Sequence, residues 1–457
     1  MSSAAAVQAE RARDLLQAPL LPVLFRLATP NVIGLFATTI VIGYDGYILG
    51  RLGADALAGV ALVFPLSMLM LQMSAGGIGG AVTAAVARAL GGGRGDEANR
   101  LALHALLIAA AAAALFMLVM LGFGGAIYAA MGGRGAALDA ALAYSSVLFG
   151  GALVIWLANV LASIVRGGGN MLLPSLMLTA TAAVHLLLCP LLVFGWGPLP
   201  GFGIAGAALS TLCVNALAGA VLVAHLLRGK GAVQLRFGDW QLRTDLLRAI
   251  LRVGAPASLS PVLSNGSIAA ATALIGSYGT AALAGYGVAA RLEYIMVPIA
   301  FGFGTALTTL VATNMGAGQH ERALRATWTG GAVVAAVTGA IGIAAAIAPA
   351  LWMNRFSSDP AVLEFGTAYL QIVGACYGLF GFSLALFFAS QGAGHMFWPL
   401  AGSVARLAVV AVGGWFAVHH LQAPATTFFF IIAAGFAIYA LTIAGAIRLG
   451  TWVRKTS

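Results

Sequence analysis

The chain has 457 residues, of which 61% are hydrophobic and only 8% are charged, with a formal net charge of +10 and a mean hydropathy of +0.99. Ordinary soluble domains carry roughly 25% charged residues, so this chain has too few polar side chains to cover a water-facing surface. The composition excludes a soluble enzyme, a disordered protein and a secreted disulfide scaffold, and it indicates a protein surrounded by lipid.

Long apolar runs, such as residues 101–120 and 341–353, predict membrane-spanning helices. Backbone amides in lipid must be paired within the chain, and the strands of a barrel would alternate in polarity. We predict an all-α polytopic membrane protein with twelve transmembrane helices and no large soluble domain. The predicted spans are 27–50, 55–89, 97–131, 137–166, 174–195, 203–228, 246–278, 281–316, 321–352, 360–391, 396–418 and 424–449.

Positive charges are concentrated in segments that fall on one side of the predicted membrane, which makes that side cytoplasmic. We therefore expect a multi-pass protein of a bacterial inner (plasma) membrane with both termini in the cytoplasm, and no nucleic-acid partner. Residues 1–17 lack the apolar stretch of a cleavable signal, so the first span directs insertion. The positive side carries Arg94, Arg100, Arg228, Lys230, Arg236, Arg243, Arg248, Arg252, Arg454 and Lys455, and the other side carries Arg51, Arg134 and Arg355.

The three cysteines, Cys189, Cys213 and Cys376, all fall inside predicted spans. Their spacing predicts neither a disulfide framework nor a thiolate metal site. We expect no metal and no cofactor.

The two halves of the chain resemble each other at an almost constant offset. At a shift of 226, Gly53 meets Gly279, and at a shift of 225 the stretches 166–171 and 391–396 agree. This predicts a duplication with an N-terminal six-helix lobe (1–228), a cytoplasmic linker (229–245) and a C-terminal six-helix lobe (246–457). Because six helices return the chain to its starting side, the lobes share one orientation and are pseudo-symmetric. Such bundles suit transport through a substrate site that opens alternately to either side.

Two carboxyl groups fall within predicted spans, where a charge costs at least ~2.5–3.5 kcal/mol on insertion scales. Asp45 lies in the outer part of the first span and Glu293 about halfway along the eighth. Removal from water favours the protonated acid, so either group can exchange a proton for a cation. The alternative for each is a structural carboxylate held for folding.

Three further polar groups in the spans are candidates for the same machinery. Arg291 and Glu293 are two residues apart and do not share a helix face, so we place Arg291 toward a central cavity, where it would modulate the protonation of Asp45. His185 lies four residues before Cys189. It can carry a proton near neutral pH or pack as a hydrogen-bonded core histidine. The sequence leaves two roles for Arg406, one in helix packing and one in transport.

Polar and aromatic side chains in other spans are candidates for the wall of a substrate cavity, although each is also explained as a helix-packing residue. The pattern Gly201-Phe-Gly-Ile-Ala-Gly follows no strand and predicts no nucleotide site. Because no site for ATP is evident, we expect an ion gradient to supply the energy. The cavity candidates are Tyr44, Asn159, Asn265, Tyr286, Arg291 and Glu293, with Asn31 and Gln72 as weaker ones.

Several stretches, taken in order, resemble motifs of the multidrug and toxic compound extrusion (MATE) family. They are Ala28-Thr-Pro, Asp45 with Gly50-Arg-Leu-Gly, Gly254-Ala-Pro, 282–291 and 314–319. The resemblance implies a V-shaped pair of six-helix lobes that export amphipathic cations in exchange for protons or sodium ions. It implies a coupling role for Asp45, which matches the family's carboxylate in the first span. Arg291 stands where the DinF-type branch carries an arginine, which favours that branch over the sodium-coupled NorM-type branch.

The chain departs from the family pattern at the cation sites. His185 and Cys189 stand where relatives often carry asparagine and aspartate, and Ser264 stands where the sodium-coupled branch has a glutamate. Hard cations need several oxygen ligands, and Asp45 alone supplies too few. We therefore expect Asp45 to carry protons, with His185 as an accessory.

These observations predict a monomeric secondary antiporter in the lipid bilayer that exports amphipathic organic cations or drugs in exchange for protons, with sodium less favoured. The alternative is a flippase or exporter of a lipid-linked or anionic amphipathic substrate, which would favour a cavity with cationic groups such as Arg291. An enzyme is not expected, because Asp45 and Glu293 stand alone in the sequence. A channel is not favoured, because no ring of repeated polar residues is evident.

Overall fold

The computed structural model describes residues 13–229, 231–236, 238 and 241–452. Lys230, Arg454 and Lys455, which contribute to the predicted charge asymmetry, lie outside these ranges. Among the described residues, eleven helices are long and apolar enough to cross a membrane, and a pair bent by 48° makes a twelfth if it is counted as one span. The prediction of an all-α membrane protein with twelve spans is confirmed.

The elements follow one another with short connections, and a small antiparallel hairpin, β1 (Gly195–Trp196) with β2 (Leu199–Pro200), precedes the helix that begins at Ile204. The helices of the first half are α1 (Leu20–Gly50), α2 (Ala54–Gly91), α3 (Gly95–Ala130), α4 (Gly135–Gly150), α5 (Ala152–Gly167), α6 (Leu172–Phe194) and α7 (Ile204–Leu227). Those of the second half are α8 (Thr244–Gly276), α9 (Thr280–Gly316), α10 (His320–Ile347), α11 (Ala350–Met353), α12 (Pro360–Ala393), α13 (Phe397–His419) and α14 (Ala425–Arg448).

Three predicted spans are not the continuous helices that the sequence suggested, and one of them, 360–391, is interrupted by a 3-10 turn at Gly374–Cys376. The span predicted at 137–166 bends by 48° between α4 and α5, at the adjacent glycines Gly150 and Gly151. In the span predicted at 321–352, the helix already ends at Ile347. Ala348 leaves the helical conformation (φ −128°, ψ 58°) because Pro349 disfavours the helical conformation in the residue before it.

The surface of α3 supports the membrane assignment. Leu115, Leu118 and Phe123 are 65%, 67% and 65% exposed. Large apolar side chains exposed to this extent along one helix are unfavourable in water and favourable against lipid tails. The middle of α3 therefore faces lipid.

The chain divides into two compact units. The first contains Thr29–Ser258, and the second contains Pro19–Ala28 together with the chain from Leu259 onward. That residues 229–245 form the linker between two lobes stays a prediction.

The local geometry of the first unit is repeated in the second. Gly169 (φ 78°) and Gly394 (φ 86°) both end a helix in the left-handed conformation that favours glycine. The hydroxyl of Thr83 donates to the carbonyl of Ser163 at 2.9 Å, and that of Thr308 donates to the carbonyl of Phe388 at 3.0 Å. Corresponding residues are 225 apart in each case, the offset that relates 166–171 to 391–396 in the sequence. The pseudo-symmetry of the two halves is therefore visible in their hydrogen bonds.

Candidate ion-coupling site

Two helices of the first unit place the candidate coupling residues. Asp45 lies near the end of α1, and His185 and Cys189 lie on α6. Because His185 and Cys189 are four residues apart, they share one face of their helix. Cys189 is followed by Pro190 within α6, and a proline at this position cannot donate the helical hydrogen bond to the carbonyl four residues earlier.

The side chains of these residues meet. Nε2 of His185 lies 2.8 Å from Oδ1 of Asp45, and the thiol of Cys189 donates to the same oxygen at 3.5 Å. On the far side of the ring, Oγ of Ser210 in α7 lies 3.0 Å from Nδ1 of His185. His185 is only 2% exposed, whereas Asp45 is 19% exposed. The arrangement is therefore a buried imidazole between a hydroxyl and a partly accessible carboxyl group.

This geometry can accept a proton without losing either contact of the imidazole ring. When Asp45 is ionised and His185 is neutral, the ring donates its Nε2–H to Asp45, and Nδ1 accepts from the hydroxyl of Ser210. When the ring gains a proton, Nδ1–H donates to Oγ of Ser210, because a serine hydroxyl both donates and accepts. The three residues can thus hold a proton or release it while the helices keep their positions.

Further groups lie around this cluster in the same unit. Tyr44 on α1 and Tyr144 on α4 each interact electrostatically with Asp45 and Cys189. Tyr44 is half-buried, and Tyr144 is 9% exposed. The predicted cavity residue Tyr44 is therefore beside the coupling candidates.

The expectation that both membrane carboxyl groups stand alone is wrong. Asp45 has His185, and Glu293 in the second unit has two tyrosines. The hydroxyl of Tyr369 donates to Oε1 of Glu293 at 2.7 Å, and that of Tyr377 donates to the same oxygen at 3.3 Å. The partners are 76 to 144 residues away along the chain, so no local spacing in the sequence could show them.

The surroundings of Glu293 form a packed aromatic core. The ring of Tyr286 stands edge-on to that of Tyr369 with centroids 5.2 Å apart, and Tyr369 packs edge-on against Phe429 at 5.3 Å. Tyr286 is 8% exposed and Tyr369 is 2% exposed. Arg406 packs its guanidinium over Phe436 at 4.6 Å and interacts electrostatically with Glu293. Glu293 and Tyr286 thus have structural partners, and their role in a cavity wall stays a prediction.

The remaining predicted residues have partners within their own units. Arg291 places its guanidinium 5.7 Å from the ring centre of Phe356. The side-chain amide of Asn159 donates to Oγ of Ser74 at 2.9 Å, where α2 forms a π-helical turn at Gln72–Ile78. The amide of Asn265, an exposed residue, donates to the carbonyl of Pro261 at 2.8 Å in its own helix.

Sequence reasoning missed Ser210, Tyr369 and Tyr377. A signal was present for the tyrosines, because hydroxyl groups within an apolar helix need hydrogen-bond partners. It could not say which partner each one takes, since that depends on the packing of helices far apart in the chain. Ser210 gave no signal beyond that of any serine in a span.

Comparisons with known proteins agree with this architecture. The MatE family model matches the chain twice, over residues 30–191 and 256–416. An FAD transporter of Shewanella oneidensis is 27% identical over 80% of this chain and 81% of its own length. The multidrug export protein MepA of Staphylococcus aureus is 22% identical, over 78% of each chain. The solved outward-facing structure of a multidrug resistance MATE transporter superposes with a TM-score of 0.88 at 23% identity, covering 97% of this chain and 98% of that one.

Duplicated bundles of membrane-spanning helices are common among membrane transporters, and the family that matches this chain consists of transporters rather than enzymes. The two matches of the family model cover more than half of the chain and repeat at the internal offset. The chain belongs to the MATE family of efflux transporters.

Proposed function

We propose that this protein is a secondary antiporter that exports amphipathic organic cations or drugs in exchange for protons. The observation that carries the proposal is the contact between Asp45 and His185 at 2.8 Å, with Ser210 on the other ring nitrogen at 3.0 Å. A partly accessible carboxyl group paired with a buried imidazole is a site that takes up and releases a proton.

The atoms around Asp45 support protons over sodium ions. Its hydrogen-bond partners are an imidazole nitrogen at 2.8 Å and a thiol sulfur at 3.5 Å. Sodium is a hard cation and, like calcium and magnesium, prefers several oxygen ligands. Ser210 has an oxygen, but it faces the opposite side of the imidazole ring. We therefore assign Asp45 as the proton carrier and His185 as its partner.

The substrate class rests on relatives. MepA is named as a multidrug export protein, and relatives with such names favour an amphipathic organic cation as substrate. We place Tyr44, Asn159, Asn265, Tyr286, Arg291 and Glu293 in the cavity that this substrate contacts.

The segment before α8 supports a cytoplasmic linker. The backbone N–H of Gln234 donates to Oδ1 of Asn99 at 2.8 Å, and that of Arg243 donates to Nε2 of His104 at 2.9 Å. The segment is thus held against the start of α3, the end that carries Arg94 and Arg100. With the positive-inside rule, this supports cytoplasmic termini in a bacterial plasma membrane.

Dye efflux from proteoliposomes tests the proposal. Wild type should extrude a cationic dye under an imposed pH gradient, equally with and without sodium, and Asp45→Asn should not. Asp55→Asn, which changes an exposed carboxyl group in the first turn of α2, is the matched control and should pump normally. Dye efflux that depends on a sodium gradient would overturn the coupling assignment.

A second candidate is export of an anionic amphipathic molecule. It is favoured by the FAD transporter of Shewanella oneidensis, which is 27% identical to this chain. Adding FAD to the same proteoliposome assay separates the two candidates. Transport of FAD without transport of any cationic dye would replace the cation exporter with the anion exporter.

A further inference from the structure

We propose that Asp45, His185 and Cys189 form a binding site for a borderline divalent cation, with Zn²⁺ as the probe, and that this cation stops transport by occupying the proton site. The inhibitory part rests on the proposed function, because it requires that the same residues carry the coupling proton. The binding part rests on the geometry of the three side chains alone.

The three potential ligand atoms already converge. The carboxylate oxygen, the imidazole nitrogen and the thiol sulfur all lie within 4.8 Å of one another. Zinc bonds of about 2.0–2.3 Å at tetrahedral angles place neighbouring ligand atoms roughly 3.3–3.6 Å apart. The separation of 3.5 Å between Sγ of Cys189 and Oδ1 of Asp45 fits this requirement.

One contact has to widen when the ion enters. Nε2 of His185 and Oδ1 of Asp45 are 2.8 Å apart, and a shared zinc ion would part them by roughly half an ångström. Asp45 is the accessible member of the group, at 19% exposure. Its side chain can make this adjustment while the buried α6 ligands stay in place.

Ser210 provides the support that a metal-binding histidine needs. Histidine ligands usually hold their ring through a hydrogen bond from the nitrogen that does not bind the metal. With the ion on Nε2, Nδ1–H of His185 would donate to Oγ of Ser210, which already lies 3.0 Å away. The ring is therefore oriented with Nε2 toward Asp45 before any ion arrives.

The donor set selects the class of ion. One nitrogen, one oxygen and one sulfur suit Zn²⁺ or Co²⁺, whereas sodium and magnesium prefer oxygen ligands. Three protein ligands leave a fourth position for water. When the ion binds, the thiol proton of Cys189 and any coupling proton held by Asp45 and His185 leave to solvent. An occupied site then has no place for the coupling proton.

The constellation occurs only once in the duplicated sequence. At the offset of 226 near the first span and 225 in the later spans, Asp45, His185 and Cys189 correspond to Ala271, Val410 and Gly414. The repeated frame of the fold therefore does not require these ligands, and the second half carries no counterpart that would bind the same ion.

Calorimetric titration of the purified, tag-free protein with Zn²⁺ tests the binding. We expect one saturable site in wild type and more than about a tenfold loss of affinity in Cys189→Ser. Cys213→Ser is the matched control, because Cys213 is an exposed cysteine of α7 that is not among the three converging ligands, and it should bind as wild type does. Co²⁺ should give a thiolate-to-metal charge-transfer band that Cys189→Ser removes. An unchanged affinity in Cys189→Ser, or no saturable binding, overturns the site.

A surface alternative is tested in the same series. His419 and His420 are adjacent and exposed, and a double replacement by alanine would remove zinc bound there. Loss of all binding in that variant would contradict the proposal, whereas unchanged binding supports it.

Efflux measurements keep this inference distinct from the proposed function. Zn²⁺ should inhibit wild-type efflux and have more than about tenfold less effect on Cys189→Ser, provided that this variant pumps in the absence of zinc. If zinc does not bind while Asp45→Asn abolishes efflux, the metal site fails and proton coupling stands. If zinc binds but Asp45→Asn pumps as fast as wild type in the absence of zinc, proton coupling fails and the metal site stands.

Discussion

His185 and Asp45 are 140 residues apart in the chain, yet their side chains meet at 2.8 Å inside the first unit. The contact joins the end of α1 to the middle of α6. It gives the carboxyl group a partner that can itself carry a proton, so the proton site belongs to two helices rather than to one residue.

Replacing His185 with Gln tests whether the imidazole takes part in coupling. The amide can still donate a hydrogen bond to Asp45 but cannot carry a proton. Because the variant keeps the hydrogen bond and loses only the group that titrates near neutral pH, we expect pH-driven dye efflux to fall at least roughly tenfold. His419→Gln, at the exposed end of α13, should pump as wild type does. Equal efflux in both variants would assign His185 to packing alone.

Ser210→Ala tests the support behind the ring. The variant removes the hydroxyl that lies 3.0 Å from Nδ1 of His185, a contact worth about 0.5–1.5 kcal/mol. Because one pH unit corresponds to about 1.36 kcal/mol, the midpoint of the pH profile of efflux should move by roughly 0.4 to 1 unit. Ser267→Ala, whose hydroxyl donates only to its own helix at Leu263, should leave the profile in place. A Ser210→Ala profile that coincides with wild type would contradict the hydrogen-bonded chain.

Tyr369→Phe tests whether Glu293 is structural. The change removes the 2.7 Å hydrogen bond to Oε1 of Glu293 and leaves the weaker contact from Tyr377 at 3.3 Å. We expect a loss of about 1.5–3 kcal/mol in stability, seen as a lower melting temperature in detergent, and a smaller loss in Tyr377→Phe. If efflux fell in Tyr369→Phe while the melting temperature held, the hydrogen bond to Glu293 would serve transport rather than stability.

Thr83→Val and Thr308→Val form a matched pair across the duplication. Each removes a buried hydroxyl that donates to a carbonyl of another helix, at 2.9 Å and 3.0 Å respectively. The two variants should lower stability by similar amounts, about 0.5–1.5 kcal/mol each. A large difference between their melting temperatures would show that the repeated contacts have lost their equivalence.

Most of the fold could be predicted from the sequence because lipid imposes simple requirements. Apolar runs of sufficient length must be helices, and eleven of the described helices meet that test singly. The nearly constant offset of 225 to 226 predicted an internal repeat, and the hydrogen bonds of Thr83 and Thr308 show that repeat at an offset of 225. The breaks at Gly151 and Pro349 were missed, because a span that bends has the same composition as one that does not.

The candidate site could be predicted only in part. Asp45 and His185 stood out as polar groups in apolar helices, whereas Cys189 was noted only as a departure from the family pattern and its contact with Asp45 was not predicted. Ser210 did not stand out, because serine is common in membrane helices and its contact with His185 depends on how α6 packs against α7. Glu293 was visible in the sequence, but its two tyrosine donors on α12 were not.

Proton release on substrate binding tests the central claim most directly. A cationic dye is added to purified protein in a weakly buffered detergent solution, and the change in pH is followed with a soluble indicator. We predict about one proton released per dye bound by wild type, without any requirement for sodium, and no release by Asp45→Asn. Release of the same number of protons by Asp45→Asn, or dye binding that needs sodium and releases none, would contradict the account.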